Sequence, residues 1–499
     1  MYDVKAIYEA KTIQEAIRLR VEHPEARIIA GGSDMLIKIR EGKAAGTELI
    51  SIYGIEEMRG ISLDPDGTLR IGSLTSFKHI TKHPLIKKYI PVLGEAVDQV
   101  GGPQIRSIGT IGGNTCNGVT SADSASTLMA WDAVIELQGP EGKRLVPDRE
   151  FYLGPGRADI RPGEIQTAIL ISKESYLGYR GNYIKYGMRN AMEIATTGCS
   201  VNVRLSPDQS TVEDIRIAYG VAAPVPVRAE NTEKAVRGLP ANEETAETIF
   251  QLVLQDVTPR DSWRASRAMR LHLCQVMAKR AFLAAVNAAK AGVTNEADVK
   301  EDLKKEIPRD LPANVCTCGE RERMASFSAD MPITTAADGK QFKVINCRIN
   351  GVQKTTMVDV RASLTDLLRK DYRLTSVKEG CEVGECGACA VIIDGECYNA
   401  CIYLAIWADG KDIVTLEGLA GPHGEISDLQ KAFIDETAVQ CGFCIPGFIL
   451  EAKTILDSGK HYTDEELRKL LSGHLCRCTG YENILNAVRK AMVERLEAK

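Results

Sequence analysis

Ten of the fifteen cysteines in this 499-residue chain fall between Cys347 and Cys478, and eight of those form two quartets laced with glycine. A segment that must bring four thiols together cannot be a plain helix or strand; it has to wrap around what it holds. The first quartet lies in EGCEVGECGACAVIIDGECYNAC and reads Cys381-x4-Cys386-x2-Cys389, then eleven residues, then Cys401. This is the spacing of plant-type [2Fe–2S] ferredoxins with a nearer fourth ligand. Gly380, Gly384 and Gly387 suit tight turns with positive φ and let backbone N–H groups approach the sulfurs. Zinc also takes paired cysteines, but it favours Cys-x2-Cys pairs, and an x4 gap with interleaved glycines is unusual for it. Cys397 lies outside the pattern and reads as a bystander thiol.

The second quartet is Cys441-Gly-Phe-Cys444, 31 residues, then Cys476-Arg-Cys478. Pro446 is placed for the first turn of a helix, and a closing Cys-x-Cys again fits zinc less well than iron–sulfur. Only Cys116, Cys199 and Cys274 lie in the first 300 residues. Cys316-x-Cys318 has no evident partners and reads as an incidental pair. The seven histidines form no ligand-spaced cluster; His474, two residues before Cys476, reads as a packing or capping residue.

A chain of this length needs several cores. The first 290 residues read as mixed α and β, with strands expected around 26–30, 68–74 and 132–138 and helices around 12–20 and 262–289. Prolines and charge without sustained periodicity mark 291–340 as a linker. Beyond it, Asn350-Gly351 predicts a hairpin turn. Past about Leu416, Ser427-x-x-Gln430 and Thr463-x-x-Glu466 predict capping boxes opening helices. A net charge of −5 gives no reason to expect nucleic acid, and no apolar run is long enough to span a bilayer. With no signal-peptide core, a cytoplasmic location is expected.

Two glycine loops stand out in the first half, Ile28-Ile29-Ala30-Gly31-Gly32-Ser33-Asp34-Met35 after a strand and Thr110-Ile111-Gly112-Gly113-Asn114. Successive N–H groups in such turns can form an anion nest, although paired glycines are often only a turn. No G-x-G-x-x-G occurs, which disfavours a Rossmann domain.

Two sets of segments resemble the molybdenum hydroxylases, the family of xanthine dehydrogenase, aldehyde oxidase and carbon monoxide dehydrogenase. GCEVGECGACAV, CGFCIPGFI and HLCRCTGYENIL are similar to their iron–sulfur subunit. AGGSDMLI, TIGGNTCNGVTSADS, YGVAAPVPVRA and SWRASRAMRLHL look like the FAD subunit of bacterial xanthine dehydrogenases. The resemblance implies an α+β multidomain chain. Its expected parts are a PCMH-type FAD-binding domain (1–175), a CO dehydrogenase flavoprotein C-terminal-like domain (180–290) and the linker (291–340). A β-grasp ferredoxin domain (341–416) and a four-helix-bundle [2Fe–2S] domain (417–499) complete it.

It also implies that the two glycine loops wrap the FAD diphosphate and that Asp123, Ile165 and Lys185 contact the flavin. Taken without it, Asp123 reads as a helix cap and Lys185 as a solvated charge. Val100 stands where animal xanthine dehydrogenases place a phenylalanine beside the flavin. Cys381, Cys386, Cys389 and Cys401 would hold the cluster nearer the flavin, and Cys441, Cys444, Cys476 and Cys478 the one nearer molybdenum. Molybdopterin would reside in a partner catalytic subunit, within a dimer of heterodimers. The expected activity is oxidation of a purine by the partner, with electrons leaving through both clusters and FAD to NAD⁺. Other hydroxylases of the group, acting on an aldehyde, nicotinate, carbon monoxide or an aromatic thioester, a carrier feeding ferredoxin or flavodoxin, and a zinc-binding or redox-sensor protein are the alternatives. No general acid or base is expected in this chain.

Overall fold

The computed structural model describes residues 1–310 and 328–497. Cys316 and Cys318 lie outside the described residues. The chain opens with a small parallel sheet in which Thr47–Ser51 lies between Val4–Glu9 and Arg27–Ile29. The helix Ile13–Glu22 crosses between the outer strands, capped by the Thr12 hydroxyl accepting from the Glu15 N–H. A five-stranded antiparallel sheet follows, in the order Ile61–Leu63, Leu69–Gly72, Ile165–Ile171, Val134–Gly139, Gly142–Pro147. Short helices from Phe77 to Ala130 pack with it into one core that includes Tyr89, Leu93, Leu128 and Trp131.

Three neighbouring strands of that sheet share a charge network. Arg70 makes two bonds to Glu136, at 2.5 and 3.1 Å, and the Thr167 hydroxyl donates to the same carboxylate at 2.6 Å. Burial alone would raise the Glu136 pKa, but Arg70 and Thr167 outweigh it and hold it down to about 2 from 4.5. A depressed acid contributes stability above its unfolded value and loses it as pH falls through the folded value. Glu136→Gln is therefore expected to flatten the pH dependence of thermal unfolding between pH 4.5 and about 2. Melting curves across that window check this.

The next unit is a meander of Tyr179–Tyr186, Thr197–Leu205, Val212–Gly220 and Val227–Arg228, with the 25-residue helix Arg267–Ala291 laid across its face. That helix starts later than its hydrophobic pattern suggests. Ser262 and Ala265 instead close a small bridge, and Ser266 caps, its hydroxyl accepting from the Met269 N–H.

Within 291–310 a short helix, Glu296–Asp302, forms behind an Asn295/Asp298 capping box. Asp302 then takes Lys88 and Tyr89, and the Arg309 carbonyl accepts from the Ile61 N–H, so this stretch lies along the five-stranded sheet.

The ferredoxin-like unit contains the hairpin Gln341–Ile349 and Val352–Asp359. Its turn falls at Asn350-Gly351, with φ of 50° and 82°, as the dipeptide predicts. Ala390–Ile393, Glu396–Asn399 and Asp412–Val414 complete the mixed sheet. Four helices follow: Asp428–Asp435, Ile445–Leu456, Asp464–Leu470 and Glu482–Glu497. The capping boxes at Ser427/Gln430 and Thr463/Glu466 both form, and Pro446 sits in the first turn of its helix. No helix among the described residues is long and apolar enough to cross a membrane.

One core joins the N-terminal strands to the ferredoxin-like unit. Tyr2, Ile7, Ile29, Leu36 and Leu49 pack with Ile345, Leu364, Cys401, Tyr403 and Trp407. Polar ties reinforce the seam: the Tyr2 hydroxyl and Arg40 both reach the Cys401 carbonyl, Lys343 pairs with Glu9 at 2.7 Å, and the Trp407 indole N–H donates to the Ser51 hydroxyl at 3.1 Å.

Candidate cofactor sites

The 381–389 loop winds tightly because Glu382, Gly384 and Gly387 all take positive φ (57°, 77° and 70°). Gly380 serves differently: a Cβ there would lie 2.8 Å from the Cys386 sulfur. Backbone N–H groups of Glu385 and Cys386 point at the Cys381 sulfur, each at 3.3 Å, and the Cys381 N–H points at Cys386 at 3.4 Å. The thiols meet in pairs, Cys381 with Cys386 and Cys389 with Cys401, with Cys381 also touching Cys401. Those contacts push Cys381 well below the usual thiol range and Cys386 and Cys401 above it.

The second quartet is also paired, Cys444 with Cys476 and Cys441 with Cys478. Burial, with Cys476 beside it, pushes Cys444 up to about 12. Burial would also raise Cys476, but the Thr479 hydroxyl and N–H hold it below the usual value. Cys444 begins the Ile445–Leu456 helix, whereas Cys441 and Cys478 are exposed. Among the described residues no three His, Cys, Asp or Glu side chains close on a point that would hold a single ion. Two thiols per iron is what a binuclear core requires, so the donor chemistry fits a [2Fe–2S] cluster at each quartet.

The two cysteine loops touch. The Leu475 N–H donates to the Cys386 carbonyl at 3.0 Å, joining a residue of the first quartet to the neighbour of Cys476. Gly387 makes this approach possible, since a Cβ there would lie 2.4 Å from His474 Nδ1 and 2.5 Å from the Gly473 carbonyl. His474 is buried against the Phe448 ring, with centroids 4.8 Å apart, so it packs as its position suggested. Sequence reasoning missed the polar partners around it. Gln104, on the helix Pro103–Ile108, places its Nε2 2.7 Å from His474 Nε2 and 2.9 Å from the Glu451 carboxylate. That group fastens the second cysteine loop and the Ile445–Leu456 helix to the N-terminal unit. Cys397 is fully buried beside Glu451 and takes no part in the paired thiols.

A cavity of about 890 Å³ opens between the small parallel sheet, the five-stranded sheet and the first cysteine loop. All of Ile28 to Met35 line it, as do Thr110, Gly112, Gly113, Asn114, Val100 and Ile165. Gly31 abuts the Ile108 carbonyl, where a Cβ would come within 1.9 Å, and Gly32 takes φ of 74°. The Thr110 hydroxyl caps the next short helix by accepting from the Gly113 N–H at 3.1 Å. Val383, Gly384 and Glu385 of the cysteine loop form part of the same wall, and Glu382 pairs with Arg40 at 3.4 Å. Two glycine-containing loops, apolar walls and buried side-chain donors without protein partners, Ser73 Oγ and Gln166 Nε2 among them, fit a dinucleotide.

Three expected contacts do not line this cavity. Ile111 is buried in the core beneath it. Asp123 and Lys185 pair with each other at 2.8 Å, while Tyr183 donates to Asp123 and Lys185 to the Gln99 carbonyl. Asp123 therefore makes no helix cap and Lys185 is no solvated charge. Burial pushes the Asp123 carboxyl up in spite of Lys185.

Comparison with known proteins agrees with this architecture. Residues 2–173 match the FAD binding domain in molybdopterin dehydrogenase, 182–285 the CO dehydrogenase flavoprotein C-terminal domain, 347–411 a 2Fe-2S iron-sulfur cluster binding domain and 415–489 a [2Fe-2S] binding domain. The chain is 41% identical over 289 residues to the putative xanthine dehydrogenase FAD-binding subunit of Escherichia coli K12, covering 58% of this chain and 98% of that one. It is 52% identical over 151 residues to the nicotinate dehydrogenase small FeS subunit of Eubacterium barkeri, covering 30% of this chain and 95% of that one. Among solved structures, carbon monoxide dehydrogenase from Hydrogenophaga pseudoflava superposes with a TM-score of 0.55 and 29% identity, over 58% of this chain and 99% of that one. With the paired thiols and the shared cavity wall, these matches make the chain an oxidoreductase component of the molybdenum hydroxylase family, one polypeptide joining its FAD-binding and [2Fe–2S] parts.

Proposed function

We propose that this chain carries electrons from a molybdopterin-containing partner through the Cys441/Cys444/Cys476/Cys478 site, then the Cys381/Cys386/Cys389/Cys401 site, to FAD and on to NAD⁺. One observation carries the order: Val383, Gly384 and Glu385, between two cysteines of the first quartet, line the same cavity as Ile28 to Met35. Bound there, the clusters supply one-electron steps and FAD gathers electrons in pairs for hydride transfer. The residues of this chain set distance and environment. The Cys386 carbonyl and Leu475 N–H span the gap between quartets by one hydrogen bond. N–H groups aimed at Cys381 and Cys386 stabilise added negative charge at their site. Asn399 steadies the loop by donating to the Gly384 carbonyl at 2.8 Å.

The substrate reading is xanthine or hypoxanthine, supported by the 41% identity to a xanthine dehydrogenase FAD-binding subunit. The 52% identity to a nicotinate dehydrogenase subunit favours a second reading, a pyridine carboxylate. The exposure of Cys441 and Cys478 supports reading the second quartet as the end that faces the catalytic partner, and the assembly is read as a dimer of heterodimers. No described cysteine forms a disulfide, and we read the location as cytoplasmic.

The test uses the native complex under anaerobic conditions. Xanthine is expected to bleach the iron and flavin absorbance, and NAD⁺ to restore it. Bleaching by nicotinate with none by purines would overturn the substrate reading. Recovery with ferredoxin or flavodoxin but not NAD⁺ would overturn the acceptor.

A further inference from the structure

Ile165 and Gln166 are consecutive residues of one strand, so their side chains should face opposite sides. Both nevertheless line the FAD cavity. The two do face different neighbours: Ile165 packs with Ala16, Leu19 and Leu74, whereas Gln166 turns to Thr115 and Cys116, and the ladder to Val134–Gly139 shifts register only beyond it, between Gln166 and Ala168. Gln166 is 4% exposed. Its Oε1 is already engaged, accepting from the Thr115 hydroxyl at 2.9 Å and the Cys116 thiol at 3.0 Å. That grip fixes the amide plane and leaves Nε2 buried without a partner.

Ser73 repeats the pattern from the neighbouring strand. It follows Leu69–Gly72, is 2% exposed, and its backbone is tied on both sides, its N–H to the Thr167 carbonyl at 3.0 Å and its carbonyl to the Gly112 N–H at 2.8 Å. The side chain is left over: Ser73 is a lining residue of the cavity, and its Oγ is buried with no partner. Buried polar groups in folded proteins are almost always satisfied, and those that are not call for an explanation. Two such donors on one cavity floor, each held by its other contacts, have the arrangement of a preformed ligand contact.

Resting on the FAD reading above, we infer that Gln166 Nε2 and Ser73 Oγ are side-chain donors to acceptor oxygens of the bound cofactor. Flavin carbonyls, ribityl hydroxyls and phosphate oxygens share that acceptor chemistry. Neither residue belongs to the two glycine loops, and no spacing in the sequence announces them.

The test uses the full chain with its clusters assembled, stripped of flavin and titrated with FAD. Gln166→Leu is expected to raise the FAD Kd about tenfold, equivalent to ~1.4 kcal/mol. Ser73→Ala is expected to raise it several-fold. Gln166→Glu keeps the size but removes the donors, and is expected to bind no better than Gln166→Leu. Unchanged iron content in each variant reports that the fold survives. If the flavin midpoint potential moves negative with the weaker Kd, the acceptor is a ring carbonyl, where reduction builds up charge. A weaker Kd at constant potential places it on the ribityl–diphosphate portion. Wild-type Kd and potential in Gln166→Leu, or wild-type affinity in Gln166→Glu, would overturn the inference. If the unsubstituted chain takes up no FAD at all, the cofactor reading itself fails instead.

Discussion

Cys389→Ala is expected to lower the iron content from about four to about two per chain and remove one of two reduced-cluster spectra. Cys389 is 2% exposed and meets Cys401 inside the core shared by the N-terminal strands and the ferredoxin-like unit, so no water or neighbouring side chain can replace its thiolate. The surviving iron should be that of the second quartet, whose thiols sit on a separate helical core containing Phe448, Leu467 and Val488. Cys478→Ala provides the converse, because Cys478 is exposed and outside the shared core. It should lose the other spectrum with little change in melting temperature. Cys397→Ala, buried but outside the pairs, should retain about four irons. Metal analysis and low-temperature electron paramagnetic resonance decide all three. Zinc in place of iron in the unsubstituted chain, or an equal loss in the Cys397 variant, would defeat the assignment.

Gly31→Ala is expected to weaken FAD binding at least about a hundredfold, roughly 2.7 kcal/mol. The added Cβ would lie 1.9 Å from the Ile108 carbonyl oxygen and 2.8 Å from its carbon. Those are backbone atoms, so relief requires the 28–35 loop to withdraw from the 108–114 segment, and both line the cavity. Gly154→Ala is the matched control, since a Cβ there meets nothing within 4 Å. Fluorescence titration with FAD separates them: wild-type affinity in the Gly31 variant would show that the loop spacing does not govern binding.

Features written in adjacent residues were legible from the sequence. The Asn350-Gly351 turn, the Ser427 and Thr463 capping boxes and Pro446 in a first helical turn each depend on a few neighbouring residues, and the thiol quartets show as cysteine spacing. The start of the Arg267–Ala291 helix was not, because Ser262 and Ser266 both offer capping hydroxyls and only the Ser262–Ala265 bridge decides between them. The polar network was hidden for another reason. Gln104 meets Glu451 and His474 across some 350 residues, and nothing near Gln104 says that a helix from the second half will arrive. Asp123 read as a helix cap and Lys185 as a solvated charge for the same cause, since their pairing joins residues 62 positions apart. Gln166 was invisible because the Thr115 and Cys116 groups that hold its amide lie some 50 residues away in the sequence.

The seam between Tyr2 and Cys401 has a consequence for biogenesis. Its partners stand 399 positions apart, so the first strands emerge from the ribosome long before the surface that covers Ile7, Leu36 and Leu49 exists. Contacts of such long range form slowly, and apolar strands exposed meanwhile are prone to aggregate. Production of this polypeptide should therefore depend on chaperone supply during synthesis.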